Sequence, residues 1–82
     1  MPEPTDAKTL AARLKQVRLE QFGEHGAPEI ARRMKLPTRT WLNYESGIAL
    51  PGHVLLRFLL LTHVEPAWLA GEPVPAYRDA DE

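Results

Sequence analysis

Arg39 and Asn43 stand four residues apart inside the stretch Ile30 to Gly47. An arginine can donate two parallel hydrogen bonds to the O6 and N7 of guanine, and an asparagine can pair with the N6 and N7 of adenine in the same two-pronged way. By itself that spacing fits a solvated helix face equally well. Other chemistries find less in this chain. His25, His53 and His63 are scattered, with no pair at i, i+4 and no cysteine to help them hold a metal. No serine sits in a nucleophile elbow, and no glycine-rich loop could cradle a phosphate. The carboxylates crowd the ends of the chain, where nothing holds them in fixed geometry. The sequence therefore reads as a non-enzyme with no metal and no cofactor.

The elements that must position Arg39 and Asn43 are short helices. Ile30, Ala31 and Met34 form one apolar helical stripe, and Trp41 and Tyr44 form another. Pro37 lacks an N–H and pushes Leu36 out of helical geometry, so one helix must end before it. Thr38 offers an N-cap hydroxyl for the next. Two short helices joined this closely form a helix-turn-helix unit. With Trp41 and Tyr44 facing inward, Thr38, Arg39, Thr40, Leu42 and Asn43 face outward.

Around this unit the pattern predicts three further helices. The first spans about Ala7 to Phe22, capped by Thr5 or Asp6 and stopped at Gly23 to Gly26. The second starts at Pro28, where a missing N–H costs nothing, and runs to about Lys35. The third spans about Thr38 to Tyr44. The fourth spans about Gly52 to His63, and a short fifth lies between Glu65 and Gly71. No strand pattern and no repeat are present. The expected organisation is a loose N-terminal segment (1–6), one helical domain (7–72) and an acidic C-terminal tail (73–82).

These residues resemble the lambda-repressor-like (XRE or Cro-type) helix-turn-helix family. The resemblance rests on Ile30-Ala31, Lys35-Leu36-Pro37, Trp41 and Tyr44-Glu45-Ser46-Gly47. It extends back to Arg13-Leu14 and Val17-Arg18. It extends forward to Leu50-Pro51, the apolar run from Val54 to Leu61, and Trp68-Leu69-Ala70-Gly71-Glu72. It implies a compact all-α, five-helix bundle and a sequence-specific transcriptional regulator, most simply a repressor. Its recognition helix, about 38–45, would lie in the major groove of double-stranded DNA. The resemblance assigns base contacts to Thr38, Arg39 and Asn43. Phosphate contacts would come from Arg33, Lys35, the backbone amide of Ala27, and Thr40. It also pairs Arg18 with Glu45, as a structural tie rather than a DNA contact. The chain departs from the family at two of these places. Ala27-Pro28 stands where a glutamine often holds a phosphate, and Lys35 stands where a glycine often makes the turn. Leu42 is apolar at an exposed position, suited to a thymine methyl or to no partner at all.

The formal net charge is −1, yet between Lys8 and Gly71 nine basic residues face five acidic ones. Arg32, Arg33, Lys35 and Arg39 gather around the turn, a moderate footprint for phosphates. At 82 residues without cysteine, the fold must rest on helix packing or on a second copy. The fourth helix is apolar on nearly every face, interrupted only by Arg57. Either it is the central core helix, its far side wrapped by the fifth helix with Trp68 and Leu69, or, the favoured reading, its surplus forms a homodimer interface with Leu56, Leu60 and Trp68 as candidates. The alternative function is a protein-interaction or oligomerisation module, or an antitoxin-like protein, with weak or lost DNA binding and a toxin or co-regulator as partner. No segment has the length and apolarity of a membrane span or the pattern of a signal peptide, so the expected location is cytoplasmic.

Overall fold

The longest helix, α1 (Ala7–Phe22), lays Ala11, Leu14, Val17 and Arg18 along one buried face. In the computed structural model, residues 7–78 are described. Four further helices pack around α1: α2 (Ala27–Arg33), α3 (Thr38–Glu45), α4 (Gly52–Thr62) and α5 (Pro66–Leu69). The fold is all-α. The only extended pairing among the described residues is an isolated antiparallel bridge between Val64 and Tyr77. Among the described residues no helix is long and apolar enough to cross a membrane.

One core joins all five helices. Trp41 is completely buried, stacks on Phe58 with ring centroids 5.6 Å apart, and meets the Tyr44 ring edge-on at 6.5 Å. Leu14, Val17, Ile30, Met34, Val54 and Leu69 fill the space around these rings. Val54, Phe58 and Thr62 recur every four residues and give α4 its core stripe. Arg13 ties α1 to α5: its guanidinium lies 4.6 Å from the centre of the Trp68 ring and donates to the Trp68 carbonyl.

Helix ends follow from local chemistry. Gly23, at φ 87°, ends α1, its N–H reaching the Arg18 and Leu19 carbonyls. Gly26 must be glycine, because a Cβ there would come within 2.3 Å of the Phe22 carbonyl oxygen. α2 and α3 end in the same hydrogen-bonded motif. After α3, Gly47 takes the left-handed position at φ 111°, and Ile48 N–H reaches the Asn43 carbonyl at 3.0 Å. After α2 that position belongs to Lys35, at φ 61°, with Leu36 N–H on the Ala31 carbonyl at 2.9 Å.

Four expectations are corrected. Thr38 is not an N-cap: Pro37 occupies that place, extended at φ −61° and ψ 147°, and no side chain caps α3. The proline already turns the chain into the helix, leaving Thr38 as the first helical residue. α2 starts one residue earlier than expected and ends at Arg33, two before Lys35, because Met34 and Lys35 form the closing turn. Trp68 is no interface residue, being 9% exposed and covered by Arg13. Residues 73–78 are not a free tail. Glu65 N–H donates to the Ala76 carbonyl at 2.7 Å, the Tyr77 hydroxyl meets Glu20 and Gln21 of α1, and Arg78 pairs with Glu65 at 3.3 Å. The proposed caps Thr5 and Asp6, the N-terminal segment and the last four residues lie outside the described residues.

Candidate functional site

α3 is held from behind by one carboxylate. Glu45 receives both prongs of the Arg18 guanidinium, Nε on Oε2 and Nη2 on Oε1, each at 2.9 Å. The Trp41 indole N–H adds a third bond to Oε2. The remaining Arg18 nitrogen, Nη1, donates to the carbonyls of Gly23 at 3.1 Å and Glu24 at 2.8 Å. The two charged side chains are only 7% and 6% exposed. A planar five-donor fork suits this task, and a lysine could not reproduce it. The bond from Glu45 raises the Arg18 pKa above its ordinary value, against the opposing effect of burial. One side chain thus joins α1, the 23–26 loop and α3, and fixes the angle at which α3 leaves the core.

The opposite face of α3 is open. Arg39, Leu42 and Asn43 are exposed, while Thr38 and Thr40 are half-buried at its edges. At about 100° per residue these exposed side chains share one side of the helix. No carboxylate shares that side, since Glu45 is the sole acid on α3 and points inward. Among the described residues, neither Arg39 nor Lys35 has a salt-bridge partner.

The other cations of the cluster are engaged. Arg32 and Arg33 both donate to Glu29, at 2.6 and 2.9 Å. These bonds, Arg32's first and Arg33's second, hold the Glu29 carboxyl below the usual carboxylate range. The Arg33 guanidinium also lies 6.0 Å from the Phe22 ring centre. An incoming anion would have to share Arg33 with Glu29. Ala27 opens α2 with its side chain buried, and Pro28 beside it offers no donor.

Arg57 was missed from the sequence, where it read as an interruption of an apolar helix. Its Nη1 donates to the Met34 carbonyl at 3.2 Å, so α4 braces the turn in front of α3. The signal lay in the pattern itself, a cation within an apolar run. Gln21, which donates to the Thr62 carbonyl at 2.9 Å and to the Tyr77 hydroxyl at 3.1 Å, left no such signal.

A second surface stands apart from α3. Leu56 and Leu60, four residues apart on α4, are 63% and 78% exposed. Near them a shallow groove is lined by Leu10, Leu55, Leu59, Pro66, Leu69 and Ala70, with no ionisable side chain. Among the described residues no cluster of three or more histidine and acidic side chains could hold a metal ion. Comparison with protein-family models, with curated proteins and with solved structures finds no match to this chain.

Proposed function

We propose that the protein is a sequence-specific regulator that binds double-stranded DNA, a repressor acting as a homodimer, with α3 in the major groove. The observation that carries this reading is the two-sidedness of α3. One side is clamped by Arg18 and Glu45. The other presents Arg39 and Asn43 without a competing carboxylate. Arg39 and Asn43 read base edges in this reading, with Thr38 beside them. Lys35, Thr40 and the amide of Ala27 contact phosphates, and Arg33 joins them by leaving Glu29. The resemblance of Ile30 to Gly47 to lambda-repressor-like proteins supports the same conclusion.

Lys35 adds an energetic argument. A left-handed residue with a side chain costs about 1 kcal/mol relative to glycine. The equivalent turns after α3 and α5 use Gly47 and Gly71. Lysine at the α2 turn accepts that cost and puts an exposed cation, without a salt-bridge partner among the described residues, in the turn before α3.

The test is binding of the full chain to the DNA upstream of its own coding region, followed by fluorescence anisotropy over a range of salt. The wild type binds this DNA more tightly than unrelated duplex, with affinity falling steeply as salt rises. The Arg39→Ala, Asn43→Ala variant loses the preference and keeps its fold. Equal, weak binding by both proteins overturns the reading. The exposed Leu56 and Leu60 favour a second one, in which the chain is an interaction module for a toxin or co-regulator. An apolar interface of that kind barely responds to salt.

A further inference from the structure

We infer that Leu42 reads the 5-methyl group of thymine, so the preferred DNA half-site carries a thymine next to the bases read by Arg39 and Asn43. This inference rests on the proposed DNA-binding role and goes beyond it by naming part of the sequence that is read. Leu42 is 44% exposed and contributes nothing to the core. It projects from the same side of α3 as the two polar readers. At about 100° per residue, it lies about 60° to one side of Arg39, while Asn43 lies about 40° to the other. The open face is therefore a guanidinium flanked by an isobutyl group and a carboxamide. In the major groove these match a guanine edge, a thymine methyl and an adenine edge respectively. The methyl is the only apolar group that base pairs present there, so an apolar side chain among polar readers has one natural target.

The surroundings of Leu42 agree. Its neighbour on the open face is Arg39, which has no salt-bridge partner among the described residues. The nearest acid along the helix, Glu45, is turned away onto Arg18. That charge favours a polyanion as the occupant of the face and opposes an apolar protein surface. The groove beside α4 differs in this respect, being lined by leucine, proline and alanine.

The experiment selects duplexes from a random pool with the full chain, then remakes the enriched duplex with uracil in place of thymine. Uracil pairs identically and lacks only the methyl. The wild type is expected to bind the thymine duplex about fourfold more tightly per contacted methyl, the factor for burying one such group. Leu42→Ala is expected to bind both duplexes alike, with unchanged thermal denaturation because the side chain lies outside the core. Equal affinity of the wild type for the two duplexes overturns the inference and leaves the DNA-binding role intact. A thymine preference that survives unchanged in Leu42→Ala overturns it as well. A pool that shows no enrichment overturns the DNA-binding role and this inference together.

Discussion

Arg18 and Glu45 are the most buried ion pair among the described residues, and that burial sets the size of the effect. Removing one partner leaves a buried charge unmatched, which costs several times more than losing an exposed ion pair. Glu45→Ala is expected to destabilise the fold by about 3 kcal/mol, read as a lowered midpoint in urea. Replacing both residues by leucine is expected to cost less than that single change, because no charge is then stranded. A Glu45→Ala protein as stable as the wild type would contradict the pair's role. Lys35 makes the opposite prediction. Lys35→Gly relieves the left-handed strain and is expected to raise stability by about 1 kcal/mol, a gain of roughly 4–8 °C in Tm for a domain of this size. If the ammonium contacts a phosphate, the same variant binds DNA more weakly and with a shallower salt dependence. Thr38 and Trp68 show where residue-level reading went astray. A threonine before a helix suggests a cap, but a proline with φ near −60° had already taken that position. Trp68 was a candidate through the apolar surplus of the fourth helix, but Arg13 roofs it from fifty-five positions away.

Helices were legible to within two residues because each is bounded by a local signal. Pro28, Pro37, Pro51 and Pro66 open four of them, and Gly23, Gly47 and Gly71 follow the ends of three. The open face of α3 was legible for the same reason, since Trp41 and Tyr44 fix which side goes inward. Contacts between distant parts of the chain carry no local signature, so the docking of residues 73–78 was not foreseen. That segment has one polar latch on α1. The Tyr77 hydroxyl accepts from Gln21 at 3.1 Å and donates to Glu20 at 3.2 Å. Burial raises the Tyr77 pKa above 10.0, and the bond and negative charge of Glu20 push it further the same way, against the Gln21 bond. The neutral phenol is thus the favoured form in the fold. Its contribution is fully present below pH 10 and is lost as pH rises through the folded-state value. NMR of the tyrosine rings is expected to show Tyr77 ionising at higher pH in the native than in the denatured protein. Cleavage within residues 73–78 by an alkaline-tolerant protease is expected to quicken over the same range. In Tyr77→Phe the cleavage rate loses that pH dependence.

At the scale of the molecule, the outer face of α3 and the exposed side of α4 are different in kind. α3 offers charge and hydrogen bonds, whereas α4 exposes two large leucines, Leu56 and Leu60, beside His53 and Arg57. Homodimerisation, if it uses that side, is expected to be broken by Leu56→Lys with Leu60→Lys. Sedimentation should then report a monomer that retains the wild-type helix content. A variant that sediments like the wild type would direct attention to another face. The burial of Trp68 makes it unsuitable for the same experiment, since its removal would open the core. The position of α1 has a further consequence, for the order of events during synthesis. Through Arg18, Gln21, Arg13 and Glu20, the first helix meets groups at positions 45, 62, 68 and 77. It is translated before the other described helices and waits for these four groups. Until Glu45 has emerged, Arg18 has only the Gly23 and Glu24 carbonyls, and α1 must wait, half-clothed, while its partners are translated. The described core therefore closes late, and a ribosome stalled before α3 would display the apolar stripe of α1, Ala11, Leu14 and Val17, to any chaperone nearby.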